Sequence, residues 1–414
     1  MTKWIKLAVR NILRNKRRSL VTLLAIGVGF TAISLFQGYV GHMYWGLRES
    51  AIRYEGLGHL TVFKAGWLEK GKLDPDRYMF TKAETEKIMK LTMKENEVIL
   101  ATPQITLSGI VSNGVVSTIF IAQGVVPQDD RTIKGSWNWN AYRPIKGEGL
   151  NEKKPYGVEM AQDLAKFLNL TPGQDGVVMA PTMSGQMNAM DIQISGVYDT
   201  GSDATNDKYM RFPYVFAQSL LDTEKAEKIV VLLDDTAKTE PMRRRLLNTL
   251  ANTGIPCEIK TWNELSLFYA KVRGMMDMML LFIFCIVLVI VVMSTVNTMS
   301  MAVLERTREI GTLRALGLKR RGVSVLFAME GGLLGIFGSL IGIVLHTGVW
   351  AIIKTLAPTY TPPGISTPVP LIVGYVPKTL VVLMCCLVVL SLIAAIIPAK
   401  RAARQNIVNA LGHT

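Results

Sequence analysis

The chain has 414 residues, 49% of them hydrophobic, and a formal net charge of +14 from 46 Lys+Arg against 32 Asp+Glu. Residues 42 to 273 hold 28 basic and 28 acidic side chains, which leaves 18 basic and 4 acidic for the remainder. A nucleic-acid binder gathers its excess charge on a folded basic face; here the excess flanks apolar runs, which excludes nucleic acid as a partner and matches the positive-inside bias of membrane proteins.

Residues 1 to 18 carry seven basic side chains and no acid. Within "KWIKLAVRNILRNKR" (3 to 17), Ile5, Ala8, Val9, Ile12 and Leu13 share one helical face. The segment reads either as an amphipathic helix on the cytoplasmic membrane surface or as a plain positive flank. The charge-free run Ser19 to Leu47 is longer than a signal-peptide core and lacks a small-x-small cleavage site, so a retained first span is expected over 19 to 41. Met278 to Leu304, Gly331 to Ile353 and Thr379 to Ala399 are also charge-free. A helix rising ~1.5 Å per residue needs roughly 20 apolar residues to cross a ~30 Å hydrocarbon core, so further spans are expected over 274 to 304, 323 to 353 and 379 to 398. A fifth run, Val98 to Gln128, is broken by Pro103, Pro127 and several polar residues. It predicts a β-hairpin turning at Asn113-Gly114 through a type I′ turn.

The basic residues of the N-terminal segment, of the loop 305 to 322 and of the tail (Lys400, Arg401 and Arg404) place all three on the cytoplasmic side, as an even number of spans permits, with residues 42 to 273 and a Pro-rich loop, 354 to 378, outside. The outer block predicts strands at 58 to 63, 228 to 233 and 257 to 262, and helices at 81 to 96 and 240 to 254, the latter ended by Gly254. Turn-rich punctuation marks a β-rich insertion at about 126 to 220 with one helix near 157 to 168. The expected fold is therefore an α-helical four-span transmembrane domain plus a large α+β extracytoplasmic domain, an α+β subdomain with a β-rich insertion. Residues 399 to 414 form a cytoplasmic tail. Cys257 is the one cysteine of the outer block, so no disulfide is expected within it, and Cys285, Cys385 and Cys386 read as small apolar residues of helices.

Little in the chain suggests catalysis. "GWLEKGKL" (66 to 73) matches G-x-x-x-x-G-K but continues with Leu73, Asp74 and Pro75 in place of a Mg²⁺-binding hydroxyl and a helix. His42, His59, His346 and His413 are scattered without ligand spacing. No metal, cofactor or catalytic residue is therefore expected. Gly331, Gly335, Gly338 and Gly342 recur at helical spacing, as small residues do where helices approach closely in lipid. They suit either a homodimer or heterodimer seam or packing within the chain. Glu330 reads as a functional acid or as one solvated at the interface.

The loop "ERTREIGTLRALGLKRRG" (305 to 322) holds eight charged residues in eighteen. Ile310, Leu313, Leu316 and Leu318 are expected to bury on one side of a short helix, with Arg306, Arg308, Glu309 and Arg314 exposed and Gly317 ending the turn. With "LAVRNILRNKRRSLVTLLAIGVGF" (7 to 30), "EGGLLGIFGSLIG" (330 to 342) and "IIPAKRAARQNIVNAL" (396 to 411), it resembles the hallmark segments of MacB/FtsX-type ABC transporter permeases. In outline the chain is similar to the lipoprotein-release subset. The resemblance implies a non-catalytic permease subunit of a bacterial inner membrane, with ATP and Mg²⁺ held by a separate cytoplasmic ATPase. It also implies that Glu305, Arg306, Arg308, Glu309, Ile310, Leu313, Arg314, Leu316 and Gly317 form the coupling helix that seats on that ATPase. A lipoprotein or a periplasmic adaptor would be the outer partner, and lipids surround the spans. Without the resemblance, the loop reads equally as a basic topology anchor, and the chain as a signalling receptor that uses no ATP.

Overall fold

The computed structural model describes residues 2–14, 16–71, 73–135, 144–361 and 368–404. Part of the expected outer loop, 362–367, and of the expected tail, 405–414, thus lies outside the described residues. Helices of six residues or more are α1 (Thr2–Arg14), α2 (Lys16–Glu49), α3 (Lys82–Thr92), α4 (Pro127–Gly135), α5 (Gln162–Phe167), α6 (Tyr214–Leu221), α7 (Thr239–Ala251), α8 (Leu267–Glu305), α9 (Thr307–Ala315), α10 (Arg320–Leu356) and α11 (Pro377–Arg404). The chain divides into a helical unit, Met1–Tyr44, Val272–Thr359 and Pro370–Thr414, and a sheet unit, Trp45–Lys271 and Tyr360–Val369.

Among the described residues four helices, α2, α8, α10 and α11, are long and apolar enough to cross a membrane. Each outruns the span drawn from charge-free residues alone. The 39 residues of α8 rise about 58 Å against a ~30 Å core. Charged residues such as Lys271, Arg273 and Asp277 mark the end of an apolar stretch, yet they are compatible with helix, and the backbone continues through them. The same holds for α11, which runs through Pro398 to Arg404.

Helix α10 lies against two partners. A methyl group added at Gly331 would come within 2.4 Å of Ala395 Cβ, and one at Gly335 within 2.9 Å of Val388 Cα, both on α11. At Gly338 and Gly342 the obstacles are Ile26 Cβ and Phe30 Cβ of α2, each 2.7 Å away. All four glycines therefore pack within the chain. Ile26, Phe30, Val287, Val291, Leu334, Leu387 and Ala395 share the surrounding core. Two polar pairs lie within the helical unit: Thr22 with Thr298 (2.6 Å) and Ser34 with His346 Nδ1 (2.9 Å).

The sheet unit contains β1 (Leu60–Lys64), β2 (Val98–Ser112), β3 (Ser117–Val125), β4 (Lys146–Gly147), β5 (Gly157–Ala161), β6 (Asp175–Pro181), β7 (Met187–Tyr198), β8 (Tyr209–Pro213), β9 (Lys228–Leu233) and β10 (Cys257–Thr261). Their order is β10-β1-β9-β2-β3-β8-β5-β7-β4, and β6 pairs with both β2 and β7. The pairings β2-β3-β8-β5-β7-β6 and back to β2 make a closed ring of strands. Closure removes exposed edges. An insertion beginning at 126 was expected to be β-rich by itself; in the structure β2 and β3 belong to its ring, because Ile110, Val111 and Ser112 pair with Met179, Val178 and Val177 of β6.

Strand β2 serves both halves of the unit. Its first half, Val98 to Gln104, pairs with β9. That half contributes to a core in which Val98 and Ala101 join Leu60, Val62, Ile88, Ile229, Val231, Met242 and Leu246 under α3 and α7. Its second half pairs with β3 and sends Leu107 and Val111 into the ring beside Phe120, Val178, Met210 and Phe212. The β2–β3 connection is a four-residue loop, where a two-residue type I′ turn was expected. Asn113 keeps a negative φ, and its Oδ1 accepts from the N–H groups of Val115 (2.9 Å) and Val116 (2.7 Å), so the side chain closes the turn. Between the outer wall of the ring and α4, Arg211 pairs with Glu159 (2.9 Å) and with Asp130 of α4, and Lys134 pairs with Asp130 (3.1 Å), all with almost fully buried side chains.

His59, 2% exposed, accepts the Leu233 N–H at Nδ1 (3.0 Å) and meets Thr236 Oγ1 at Nε2 (3.1 Å). Burial, helped by Arg53, pushes its pKa down to about 4. A base with a depressed folded pKa contributes full stability above its unfolded value and loses it as pH falls toward the folded one, here between about 6.5 and 4 at a cost of about 3 kcal/mol. Residues 45 to 271 expressed alone should unfold cooperatively in urea, and between pH 7 and pH 4 should lose about 3 kcal/mol more than the His59→Gln variant, whose carboxylates titrate alike. Equal losses in the two proteins would refute the assignment.

Candidate functional site

Helix α8 ends at Glu305 and α9 begins at Thr307, so one residue, Arg306 (φ −113°, ψ 17°), makes the corner. Thr307 steadies it by donating its hydroxyl to Val303 O and Leu304 O, both at 3.0 Å. Glu309 lies in the first turn of α9 and Arg314 in the last, each at the end the helix dipole favours. The helix stops in a Schellman motif: Gly317 N–H bonds Arg314 O (3.1 Å) and Leu318 N–H bonds Leu313 O (3.0 Å). Gly317 adopts φ +99° there, a conformation that strains any residue with a Cβ.

The expected burying face is only partly buried. Ile310 is 5% exposed and enters the core of the helical unit, and Leu318 packs at its margin. Leu313 and Leu316, in contrast, are 40% and 80% exposed. At 100° per residue they turn about 60° and 120° away from Ile310, so a nine-residue helix lying flat on its neighbours cannot bury all three. Arg308 and Glu309 are exposed as expected, whereas Arg314 is half-buried. α9 thus presents two leucines, Arg308 and Glu309 outward on a well-terminated helix.

Arg306 departs furthest from expectation. It was placed on the exposed face and is 8% exposed. Its Nη1 donates to Glu330 Oε1 (3.0 Å) and its Nη2 to the main-chain oxygen of Asn11 on α1 (3.3 Å). Glu330, expected to be solvated if not functional, is 2% exposed and also accepts from Asn11 Nδ2. It lies ten residues inside α10, where α1 covers it. Around this pair lie two exposed ones, Arg14 with Glu309 (3.2 Å) and Arg18 with Glu305. Exposed pairs contribute roughly 0–1 kcal/mol, whereas removing one partner of a buried pair costs about 3–5 kcal/mol, so the Arg306–Glu330 contact dominates the corner. One sequence signal pointed to it: Glu330 is the sole acid after Glu309. Asn11 carried none.

Among the described residues no group of His, Cys, Asp or Glu is placed to hold a metal. Where the G-x-x-x-x-G-K match suggested a phosphate loop, Trp67–Lys70 form a helical turn, and Lys72 lies outside the described residues. The corner thus sets a short helix with an outward apolar pair on the end of α8, held to α10 and to α1 through Arg306.

The family described as MacB-like periplasmic core domain matches residues 19–249, and that described as FtsX-like permease C-terminal matches residues 281–407. The ABC transporter permease YtrF of Bacillus subtilis (strain 168) is 32% identical over 136 residues, 32% of this chain and 31% of that one. The macrolide export ATP-binding/permease protein MacB 1 of Yersinia pestis bv. Antiqua (strain Antiqua) is 26% identical over 254 residues, 60% of this chain and 37% of that protein. The matches thus span about a third of these relatives' lengths. Among solved structures, the periplasmic region of MacB from Actinobacillus actinomycetemcomitans aligns with a TM-score of 0.35 at 16% identity, over 51% of this chain and 92% of that one.

The uneven burial of α9 sets an order of costs. Ile310→Asp should destabilise the full-length protein by several kcal/mol, about 3 or more, because the carboxylate enters an apolar core unpaired. Leu316→Asp should stay within about 0.5 kcal/mol of the parent, as surface changes do. Thermal unfolding in detergent checks both, and similar losses for the two variants would contradict the exposure of Leu316.

Proposed function

Because the chain belongs to the MacB/FtsX-type permease family, we propose that it is the non-catalytic membrane subunit of an ABC complex, driven by a separate ATPase that holds ATP and Mg²⁺ and docks on α9. The observation that carries this reading is the exposure of Leu313 and Leu316 on a helix anchored by Ile310 and ended at Gly317. A topology anchor needs basic charge alone. An apolar pair beside Arg308 and Glu309 instead suits a protein groove, since interface cores are apolar and rims polar.

In this reading the termini and α9 face the cytoplasm of a bacterial inner membrane, and the sheet unit lies on the far side. Helices α2 and α8 both carry residues into the sheet unit. They are the route by which closure of the ATPase would move that unit, acting on a substrate outside instead of passing it through a channel. We assign the step to lipoprotein release, acting with a second permease subunit. Efflux of a drug or peptide with a periplasmic adaptor is the second reading, favoured by the similarity to a macrolide export protein over 60% of this chain.

Replacing Arg308 and Arg314 together by Glu, or Leu313 by Asp, should leave insertion intact while abolishing retention of the ATPase, through reversed charge in one case and an unpaired carboxylate in an apolar groove in the other. Copurification and ATP hydrolysis measure the effect. Full retention by both variants would reduce α9 to a topology anchor. Photocrosslinking from the sheet unit then separates a lipoprotein partner from an adaptor.

A further inference from the structure

We propose that Arg306 and Glu330 are positioning residues that pin α1 to the α8–α9 corner, making the N-terminal helix part of the coupling apparatus, a role that rests on the function proposed above. The juxtaposition is specific. One guanidinium at the non-helical corner donates from two different nitrogens to two different helices, to Glu330 on α10 and to Asn11 O on α1. Asn11 returns a second bond from its side chain to the same carboxylate oxygen of Glu330. The three helices are therefore joined at one carboxylate.

Holding helices together does not require this arrangement. A buried ion pair is often no more stabilising than apolar side chains of equal volume, because both charges must leave water. What it supplies is direction: a planar fork of donors fixes the angle between its acceptors, which a packed pair of leucines does not. Here the fork sits at the one residue about which α9 can pivot on α8. Any tilt of α9 imposed at Leu313 and Leu316 must turn the Arg306 backbone, and the guanidinium then drags Glu330 and Asn11 or lets them go. The flanking contact of Arg14 with Glu309 aligns α1 along the same corner, and that of Arg18 on α2 with Glu305 lies beside it, but both are exposed and too weak to hold α1 alone. α1 and α9 should accordingly move as one body while the pin is intact.

The test uses the full-length chain in lipid nanodiscs, alone and with the ATPase that the wild type retains. Glu330→Gln removes the charge and keeps an acceptor for Asn11. In the chain alone, amide exchange should rise about tenfold in α1 and α9 and stay unchanged in α2 and α11. With the ATPase, retention should persist while stimulation of hydrolysis by the chain falls at least about fivefold. Arg306→Glu, whose carboxylate can donate neither to Asn11 O nor to Glu330, should show the same two changes. If Glu330→Gln does not insert, Arg306→Lys takes its place, since it keeps the charge but not the fork and should loosen α1 selectively. Unchanged exchange and stimulation, or faster exchange spread evenly over every helix, would overturn the proposal by leaving the pair no role beyond general stability. A wild-type chain that leaves its ATPase unstimulated sinks the functional reading and the coupling role with it; the exchange measurement, which needs no ATPase, shows whether the pin itself failed.

Discussion

The close approach of α10 to two neighbours at once is the constraint on which the helical unit depends. Lipid tails are as apolar as leucine, so helices in a bilayer associate through packing and polar contacts, and a helix that must touch two others needs room on its surface. Gly331 and Gly335 give that room to α11, and Gly338 and Gly342 to α2. At those positions even a methyl group would meet backbone or Cβ atoms that cannot swing aside, so the seam fixes α10 in height as well as in angle. Glu330, the residue before Gly331, is thereby held at one level of the bundle, and Arg306 meets it there. The polar contact at the corner follows from the apolar one.

The sheet unit solves a different problem with one long strand. Fifteen residues of β2 pass from an open four-stranded array into the closed ring, and both hydrophobic cores include its side chains. A strand shared in this way ties the two cores together by hydrogen bonds along its whole length, where a flexible linker would leave them independent. Gly109 marks the crowded point: a methyl there would lie 2.0 Å from Met179 O of β6, so β6 can close the ring only because that side chain is absent. Ring closure in turn is what leaves β2 with partners on both sides.

Much of this was legible in the sequence, and what was not shares a cause. Charge-free runs located the four long helices because the lack of hydrogen-bonding partners in a bilayer core leaves few other structures for such a run. "KIVVLL" marked β9, and Gly317 marked the end of α9, since both are local properties of the chain. The β6–β2 pairing, in contrast, joins residues some 70 positions apart, and Arg306 finds Asn11 across 295 positions. A hydrophobic period reports which residues are apolar and not which of them a neighbour will cover. Hence Ile310 and Leu316 looked alike, although only one meets the bundle. Likewise Glu330 read as a functional acid or as one solvated at the interface, because nothing local says that α1 will fold over it.

The distribution of chemistry in the helical unit bears on what kind of machine this is. Among its described residues three polar pairs link its helices: Thr22 with Thr298, Ser34 with His346, and Arg306 with Glu330. Only the last of these involves formal charge, and it is placed where a chain turn gives a long helix its single pivot. Desolvating an arginine and a glutamate is among the costlier arrangements open to a fold, and an apolar pair would have filled the same volume at lower cost. An expensive contact at a pivot is informative in a way that the same contact in mid-helix would not be. In mid-helix the backbone already fixes the geometry, and the pair could add only stability; at the corner the backbone leaves the angle open, and the pair decides it.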